Sequence, residues 1–237
     1  MLLIKNGKVK TMVGEDIENG YVLIGDDGKI VSVGASIEES ADMTVIDAEG
    51  RLVTPGCVEA HCHTGLRTSS LRWEGSEINE SSDPITPHLR GIDAINPFDR
   101  SFSDAKKAGV TTILTGPGSA NPISGQFAAI KTQGVCVDDM IIKSPAAMKM
   151  ALGENPKSVY HQKSQAPVTR MGTMAVIRET LYKAKEYLAD LEDYQRDPDE
   201  NEKPEFDIKL EALIPVLKKE IPVLSHILSP CKKLQRC

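Results

Sequence analysis

The segment VTPGCVEAHCHTG, residues Val53 to Gly65, carries two histidines one residue apart at the end of an apolar run. Pro55-Gly56 predicts the start of a β-strand and Thr64-Gly65 predicts its end. Because side chains alternate between the two faces of a strand, His61 and His63 are expected to share one face near the strand's C-terminal end. Paired imidazoles without partners are costly to bury, whereas a divalent metal takes neutral imidazole nitrogens as ligands. The pair predicts a metal site, although many His-x-His pairs bind nothing.

The composition is that of an ordinary globular protein. Apolar residues make up 40% of the 237 residues and charged residues 26%, and the net charge is −6. That charge gives no basic footprint for nucleic acid or an anionic membrane, and there is no apolar run of about 18 residues to span a bilayer. MLLIKNGKVK does not resemble a secretory signal. The scattered cysteines predict a reduced, cytoplasmic chain: Cys57, Cys62, Cys136, Cys231 and Cys237.

The hydrophobic pattern divides the chain into residues 1–52 and residues 53–237. In the first part apolar and polar residues alternate, which predicts a small β-sandwich-like domain with turns at Asn6-Gly7, Asp27-Gly28 and Glu49-Gly50. In the second part strand and helix patterns alternate, and Met174 to Tyr194 shows the clearest helical spacing of apolar residues. Alternation of this kind predicts the α/β class with a parallel sheet, open or closed into a barrel.

The order of these parts, and the run from Pro55 to His63, resemble the metal-dependent amidohydrolase superfamily. Its members carry Pro-Gly-x-x-Asp-x-His-x-His on the first barrel strand, and Glu59 stands here at the Asp position. The similarity is greatest to imidazolonepropionase-like amidohydrolases and covers about residues 1–222. It implies a partial TIM-type (β/α) barrel over residues 53–237 with His61 and His63 as metal ligands. It also implies a divalent metal, zinc first, that activates water to hydrolyse a non-peptide or small amide C–N bond of a small molecule.

The resemblance also suggests further ligands. Lys149 lies in a predicted strand, and in binuclear family members a barrel lysine is carboxylated and bridges two metals; burial, which lowers a lysine's pKa, gives this a physical basis. The alternative is that Lys149 extends to the surface. Glu154 is an alternative oxygen ligand, and His226 stands where the fifth-strand histidine is expected. Arg170 is a candidate for binding a substrate carboxylate, or an ordinary surface arginine.

Other segments carry weaker signals. His88 and His161 lie in polar sequence and are predicted to be surface residues. The loop TGPGSANPISG lacks the spacing of a phosphate-binding loop and is predicted to form a rigid loop at the mouth of the site. Cys57 and Cys62 suggest a structural zinc module, but they fall on opposite faces of the strand, so at most Cys57 shares the metal.

The sequence after His226 lacks parts of the family pattern. That pattern adds a sixth-strand histidine and an eighth-strand aspartate acting as proton shuttle, so no catalytic acid or base is assigned. Residues 51–237 are also fewer than the about 250 residues of a complete barrel. We therefore expect a truncated or frame-altered form of a longer amidohydrolase, with SPCKKLQRC as an atypical tail. Its open sheet edge predicts poor solubility unless another chain, such as a second copy, covers it. The alternative function is a non-catalytic, metal-binding remnant.

Overall fold

The computed structural model describes residues 1–68 and 71–227, so the predicted tail SPCKKLQRC lies outside the described residues. The chain divides into a unit of Met1–Gly56 and a second unit that begins at Cys57. The boundary predicted from the sequence was after residue 52. The strand Leu52–Val53 pairs with the first strand of the chain, so this segment belongs to the first unit. Within the described ranges no helix is both long enough and apolar enough to cross a bilayer.

The first unit is a five-stranded sheet. Its strands run in the order β3-β2-β1-β4, and β5 also pairs with β1. Residues 1–56 form this one sheet, so the sandwich-like prediction is not confirmed. The strand bounds are β1 Leu2–Val9, β2 Ile17–Ile24, β3 Ile30–Gly34, β4 Thr44–Asp47 and β5 Leu52–Val53.

Two of the three predicted turns are confirmed. Asp27-Gly28 connects β2 to β3, and Glu49-Gly50 connects β4 to β5 with positive φ at both residues. Asn6-Gly7 instead lies inside β1, where the register against β2 shifts, and Asn6 has φ of 57°. The hairpin prediction is wrong there because a residue with positive φ is equally suited to a β-bulge.

The second unit combines a second five-stranded sheet with helices. Its sheet has the order β10-β9-β8-β7-β6. The strands are β6 Cys57–Cys62, β7 Val110–Thr115, β8 Ile123–Lys131, β9 Ile141–Ala151 and β10 Val223–His226. The helices are α1 Arg100–Lys107, α2 Val137–Met140, α3 Glu154–Gln162, α4 Arg170–Arg196, α5 Ile208–Glu211 and α6 Ile214–Leu217. The unit is therefore α/β, and α4 contains the helix predicted from apolar spacing.

The second sheet is mixed rather than wholly parallel. The pairs β6–β7 and β9–β10 are parallel, whereas β8 is antiparallel to both β7 and β9. The prediction of a parallel sheet fails at β8 because the loop from Gly116 to Pro122 is too short for a crossover connection. Strands β6, β7, β9 and β10 still run in one direction, so their C-terminal ends lie at the same end of the sheet.

This sheet is curled into a half-barrel. Strands β6 and β9 are three positions apart in the sheet order. In a flat sheet they would be separated by about 14 Å, and their side chains would point in the same direction rather than toward each other. Nevertheless, Nζ of Lys149 on β9 lies 3.0 Å from Nε2 of His61 on β6. Only a curled sheet directs these two side chains toward each other.

Two apolar clusters stabilise the second unit. One cluster contains Phe102 of α1 with Ile113 and Ile130 of the sheet. The other contains Met148 and Met150 of β9 with apolar residues of α4, including Ile177 and Ala184. Burial of these side chains fixes α1 and α4 against the sheet.

Replacing Ile130 by alanine tests the first cluster. Ile130 is fully buried, so Ile130→Ala should lower the free energy of unfolding by about 2–5 kcal/mol through lost burial and a residual cavity. The matched control is Ile142→Ala at a position that is 52% exposed, where we expect a change within about 0.5 kcal/mol. Urea unfolding measures both; equal effects at the two positions would contradict this packing.

Candidate functional site

The C-terminal ends of β6, β9 and β10 bring His61, Lys149 and His226 to one end of the half-barrel. The contact between Lys149 Nζ and His61 Nε2 is 3.0 Å, and the Lys149 side chain is fully buried while His61 remains accessible to solvent. An N–H of the Lys149 Nζ group donates to an unprotonated Nε2 of His61. The site therefore has a buried amine at its base and an imidazole at its open side.

His63 follows β6 and is held by the loop after β7. Its Nδ1 lies 2.7 Å from the carbonyl oxygen of Gly116, so Nδ1–H donates, and in the neutral ring Nε2 is the nitrogen without a proton. The rings of His61 and His63 have centroids 5.6 Å apart at an interplanar angle of 82°. Both histidines thus lie on one side of the sheet, as strand alternation predicts.

His226 lies at the opposite edge of the sheet. Its strand pairs with β9 so that Leu224 aligns with Lys149 and His226 with Ala151. Nε2 of His226 is buried and has no hydrogen-bond partner among the described residues. A buried imidazole nitrogen without a partner is costly, so this atom is available to a ligand.

The ring of Phe127 on β8 lies against the polar cluster formed by His61, His63, Lys149 and His226. Its centroid is 5.3 Å from that of His61 and 6.1 Å from that of His63, with interplanar angles of 83° and 66°. Lys149 Nζ lies over the same ring at 5.7 Å from its centroid. Phe127 is fully buried, and it contacts three of the four polar residues of the cluster.

The environment of the cluster disfavours positive charge on His61, His226 and Lys149. Burial lowers the pKa of Lys149 below its ordinary value. Burial, and then the positive charge of Lys149, lower the pKa values of both His61 and His226. The lowered pKa values favour the neutral imidazole at His61 and His226 near pH 7, the form that binds metal.

Several candidates predicted from the sequence lie elsewhere. Glu154 is the exposed first residue of α3, and Arg170 is the exposed first residue of α4. Glu59 is exposed, and its Oε1 accepts a hydrogen bond from the backbone N–H of His61 at 3.0 Å. The thiol of Cys62 donates to the carbonyl oxygen of Leu114. No described contact joins Glu154 or Arg170 to the histidines, and their predicted roles stay predictions.

The donor atoms suit a divalent metal, although the ligand set is incomplete. The Nε2 of His226, unpartnered within the described part of the chain, and the tautomer of His63 favoured by Gly116 are what imidazole ligands require. In residues 1–68 and 71–227, however, no three or more His, Cys, Asp or Glu side chains are grouped closely enough to hold an ion. Lys149, which lies beside His61, belongs to none of those four residue types. The lack of a closed set including a thiolate argues against the structural zinc module in the described residues.

Sequence reasoning missed Gly116 and Phe127. Gly116 lies directly after β7, at the strand end where functional loops collect, and that position was the available signal. Phe127 had no local signal, because its position depends on the antiparallel direction of β8.

His88 is not the surface residue that the sequence predicted. It is partly buried, and its Nδ1 is buried without a partner among the described residues. The segment around it bridges to β8 at Ile85–Ile123 and Arg90–Gln126, which packs the loop against the sheet. Burial, then the charge of Lys209, lower the pKa of His88, while Asp83 and Asp207 oppose this shift. The prediction for His161 agrees with the structure, since His161 is exposed.

Comparison with known proteins gives consistent similarities. No protein-family model matches the chain. The crystal structure of an amidohydrolase from Thermotoga maritima MSB8 has a TM-score of 0.89 and 40% identity, over 95% of this chain and 58% of that one. Amidohydrolase tasK of Hapsidospora irregularis is 34% identical over 206 residues, 80% of this chain and 21% of the relative. A dihydroorotase of Caldicellulosiruptor saccharolyticus is 30% identical over 172 residues, 71% of this chain and 34% of the relative. The chain thus spans between 21% and 58% of these proteins.

His88→Asn should make stability less sensitive to acid. The pKa of His88 is lowered in the folded state, so its contribution is fully present above the unfolded pKa of about 6.5 and is lost as the pH falls through the folded value. In the variant, the free energy of unfolding should decrease less between pH 7 and pH 5. The control is His161→Asn at an exposed position, and urea unfolding across the pH range measures the slopes. An unchanged slope in His88→Asn would contradict the assignment.

Proposed function

Because the chain belongs to the amidohydrolase superfamily, we propose that it hydrolyses a C–N bond of a small-molecule substrate, a non-peptide or small amide. The reacting bond would lie at the cluster of His61, His63, Lys149 and His226. The observation that carries this proposal is the 3.0 Å contact between the fully buried Lys149 Nζ and His61 Nε2. A buried amine with a perturbed pKa at strand ends is typical of sites that perform chemistry.

The proposed metal ligands are His61 and His63, with His226 as a further candidate at the opposite edge of the sheet. These three histidines alone are not grouped closely enough to hold an ion, so the set depends on the oxygen ligands proposed below for Lys149. Zinc is the first candidate ion. When bound, such an ion supplies Lewis acidity, which polarises a substrate carbonyl and makes water more acidic. His63 presents Nε2 because its Nδ1 donates to Gly116, and His226 presents a nitrogen that has no hydrogen-bond partner in residues 1–68 and 71–227. The neutral state of His61 and His226 near pH 7 suits this role.

Lys149 is proposed as a carboxylated residue that supplies oxygen ligands. Burial lowers its pKa and so raises the fraction of free amine. In the step, the lone pair of Nζ forms a bond to the carbon of carbon dioxide, one C–O π bond becomes a lone pair on oxygen, and an N–H proton leaves to water. The product is a carbamate, whose oxygens are ligands that divalent metals accept. Glu154 and Arg170 stay as weaker candidates for an oxygen ligand and for binding a substrate carboxylate.

The curled half-barrel sheet is proposed to be part of a TIM-type (β/α) barrel. Four of its five strands run in one direction, and the cluster lies at their C-terminal ends. Active sites of such barrels are built at that end. In this proposal β8 is a departure from the regular barrel pattern.

His61→Ala tests the proposed site. Loss of one imidazole ligand should abolish stoichiometric zinc and reduce hydrolysis of cyclic amides to background. Metal analysis and a product assay measure the two effects, with His161→Ala at an exposed position as the control. Turnover by His61→Ala at the wild-type rate would contradict the proposal. Stoichiometric zinc without turnover in the wild type would instead support the non-catalytic metal-binding remnant.

Lys149→Gln tests the role of the buried amine. Turnover should fall by more than about 100-fold, beyond the effect of removing a residue that only supports a ligand. The matched control is Lys143→Gln on the same strand, where the side chain is exposed. Native mass spectrometry should find the wild type heavier by one carbon dioxide and Lys149→Gln without that increment. Wild-type turnover in Lys149→Gln would reject the role.

A further inference from the structure

We propose that Phe127 is a positioning residue that fixes the ring orientations of His61 and His63. This inference rests on the proposed function, because it concerns the same cluster. Phe127 itself carries no donor for a metal or a substrate proton, so its effect is exerted through the two imidazoles.

The contacts of Phe127 set it apart from an ordinary core residue. It is fully buried, yet it belongs to neither of the two apolar clusters that fix α1 and α4. Its neighbours include two histidine rings, at centroid distances of 5.3 and 6.1 Å, and the amine of Lys149 at 5.7 Å. A large apolar ring is therefore buried against the polar cluster.

These contacts restrict how the imidazoles rotate. The interplanar angles of 83° and 66° place the rings in edge-to-face arrangements, which aromatic pairs prefer. Rotation about the Cβ–Cγ bond of a histidine has a broad energy profile, so hydrogen bonds and packing decide it. The hydrogen bond to Gly116 and the packing of Phe127 against the ring together restrict rotation of His63. The unprotonated nitrogen then stays aimed at one point.

Gly116 makes this arrangement fit. A Cβ at Gly116 would lie 2.4 Å from Cδ2 of Phe127, a distance at which one of the two must move. The absence of a side chain lets the phenyl ring pack beside the strand end whose carbonyl oxygen accepts from His63. One glycine thus accommodates both restraints on His63.

The test compares Phe127→Leu with Phe102→Leu. Both phenylalanines are buried, but Phe102 lies on α1 in the first apolar cluster, and among the described residues the aromatic contacts of the two histidines involve Phe127 and not Phe102. Two readouts are measured: the dissociation constant for Co²⁺ alone, by chelator competition, and the tautomers of His63 in the metal-free protein, by ¹⁵N imidazole shifts. The His63 signals are assigned from the spectrum of His63→Asn.

We expect Phe127→Leu to weaken Co²⁺ binding about 10–100-fold, as loss of a group that orients a ligand does, and to give His63 a mixture of tautomers. Phe102→Leu should lower stability and leave both readouts at the wild-type values. Wild-type affinity and a single His63 tautomer in Phe127→Leu would overturn the inference. If Phe127→Leu does not fold, Phe127→Met is used, which keeps an apolar side chain of similar length.

The two readouts separate this inference from the proposed function. If the wild type binds no Co²⁺, the proposed metal site fails. The tautomers of His63 in the metal-free protein still decide the role of Phe127. A single tautomer that is present in the wild type and in Phe102→Leu but absent in Phe127→Leu supports the positioning role. A single tautomer that is retained in Phe127→Leu refutes it.

Discussion

The contact between Lys149 and His61 sets the geometry of the second unit. Lys149 is fully buried in β9, and its Nζ lies 3.0 Å from an imidazole nitrogen that belongs to the edge strand β6. Burial lowers the pKa of both groups, and the positive charge of Lys149 lowers the pKa of His61 further. The two side chains can form this contact only because the sheet is curled. The curvature of the sheet and the chemistry of the site therefore depend on each other.

Strand direction explains why so many polar groups meet in one place. Strands β6, β7, β9 and β10 run together, and the reversed strand β8 begins at the end where they finish. The short loop before β8 leaves the carbonyl oxygen of Gly116 beside His63 and the ring of Phe127 beside both histidines. A helical crossover at this point would have placed a parallel strand there with different side chains facing the site.

The parts of this arrangement that follow from local pattern could be predicted from the sequence. Period-two alternation is sufficient to place His61 and His63 on one face, and apolar spacing is sufficient to identify α4. The partnership of His63 with Gly116 joins residues 53 positions apart and follows from the parallel register of β6 with β7, in which Cys62 aligns with Thr115. No local pattern encodes that register, and none encodes the reversed direction of β8 that brings Phe127 to the site. The Asn6-Gly7 error has a different cause, because a positive φ is compatible with both a hairpin and a bulge.

Several polar groups that are rarely buried lie close together in the second unit. Their proximity supports a functional role for this site. Met148 and Met150 pack in the apolar cluster beside α4, whereas Lys149 between them is buried on the other face as an amine. His226, whose strand pairs with β9, leaves a buried nitrogen without a partner in the described chain. Each exception alone lowers stability. A fold that keeps several of them at the same strand ends is stabilised elsewhere, by the two apolar clusters, and such local conflicts are typical of functional sites.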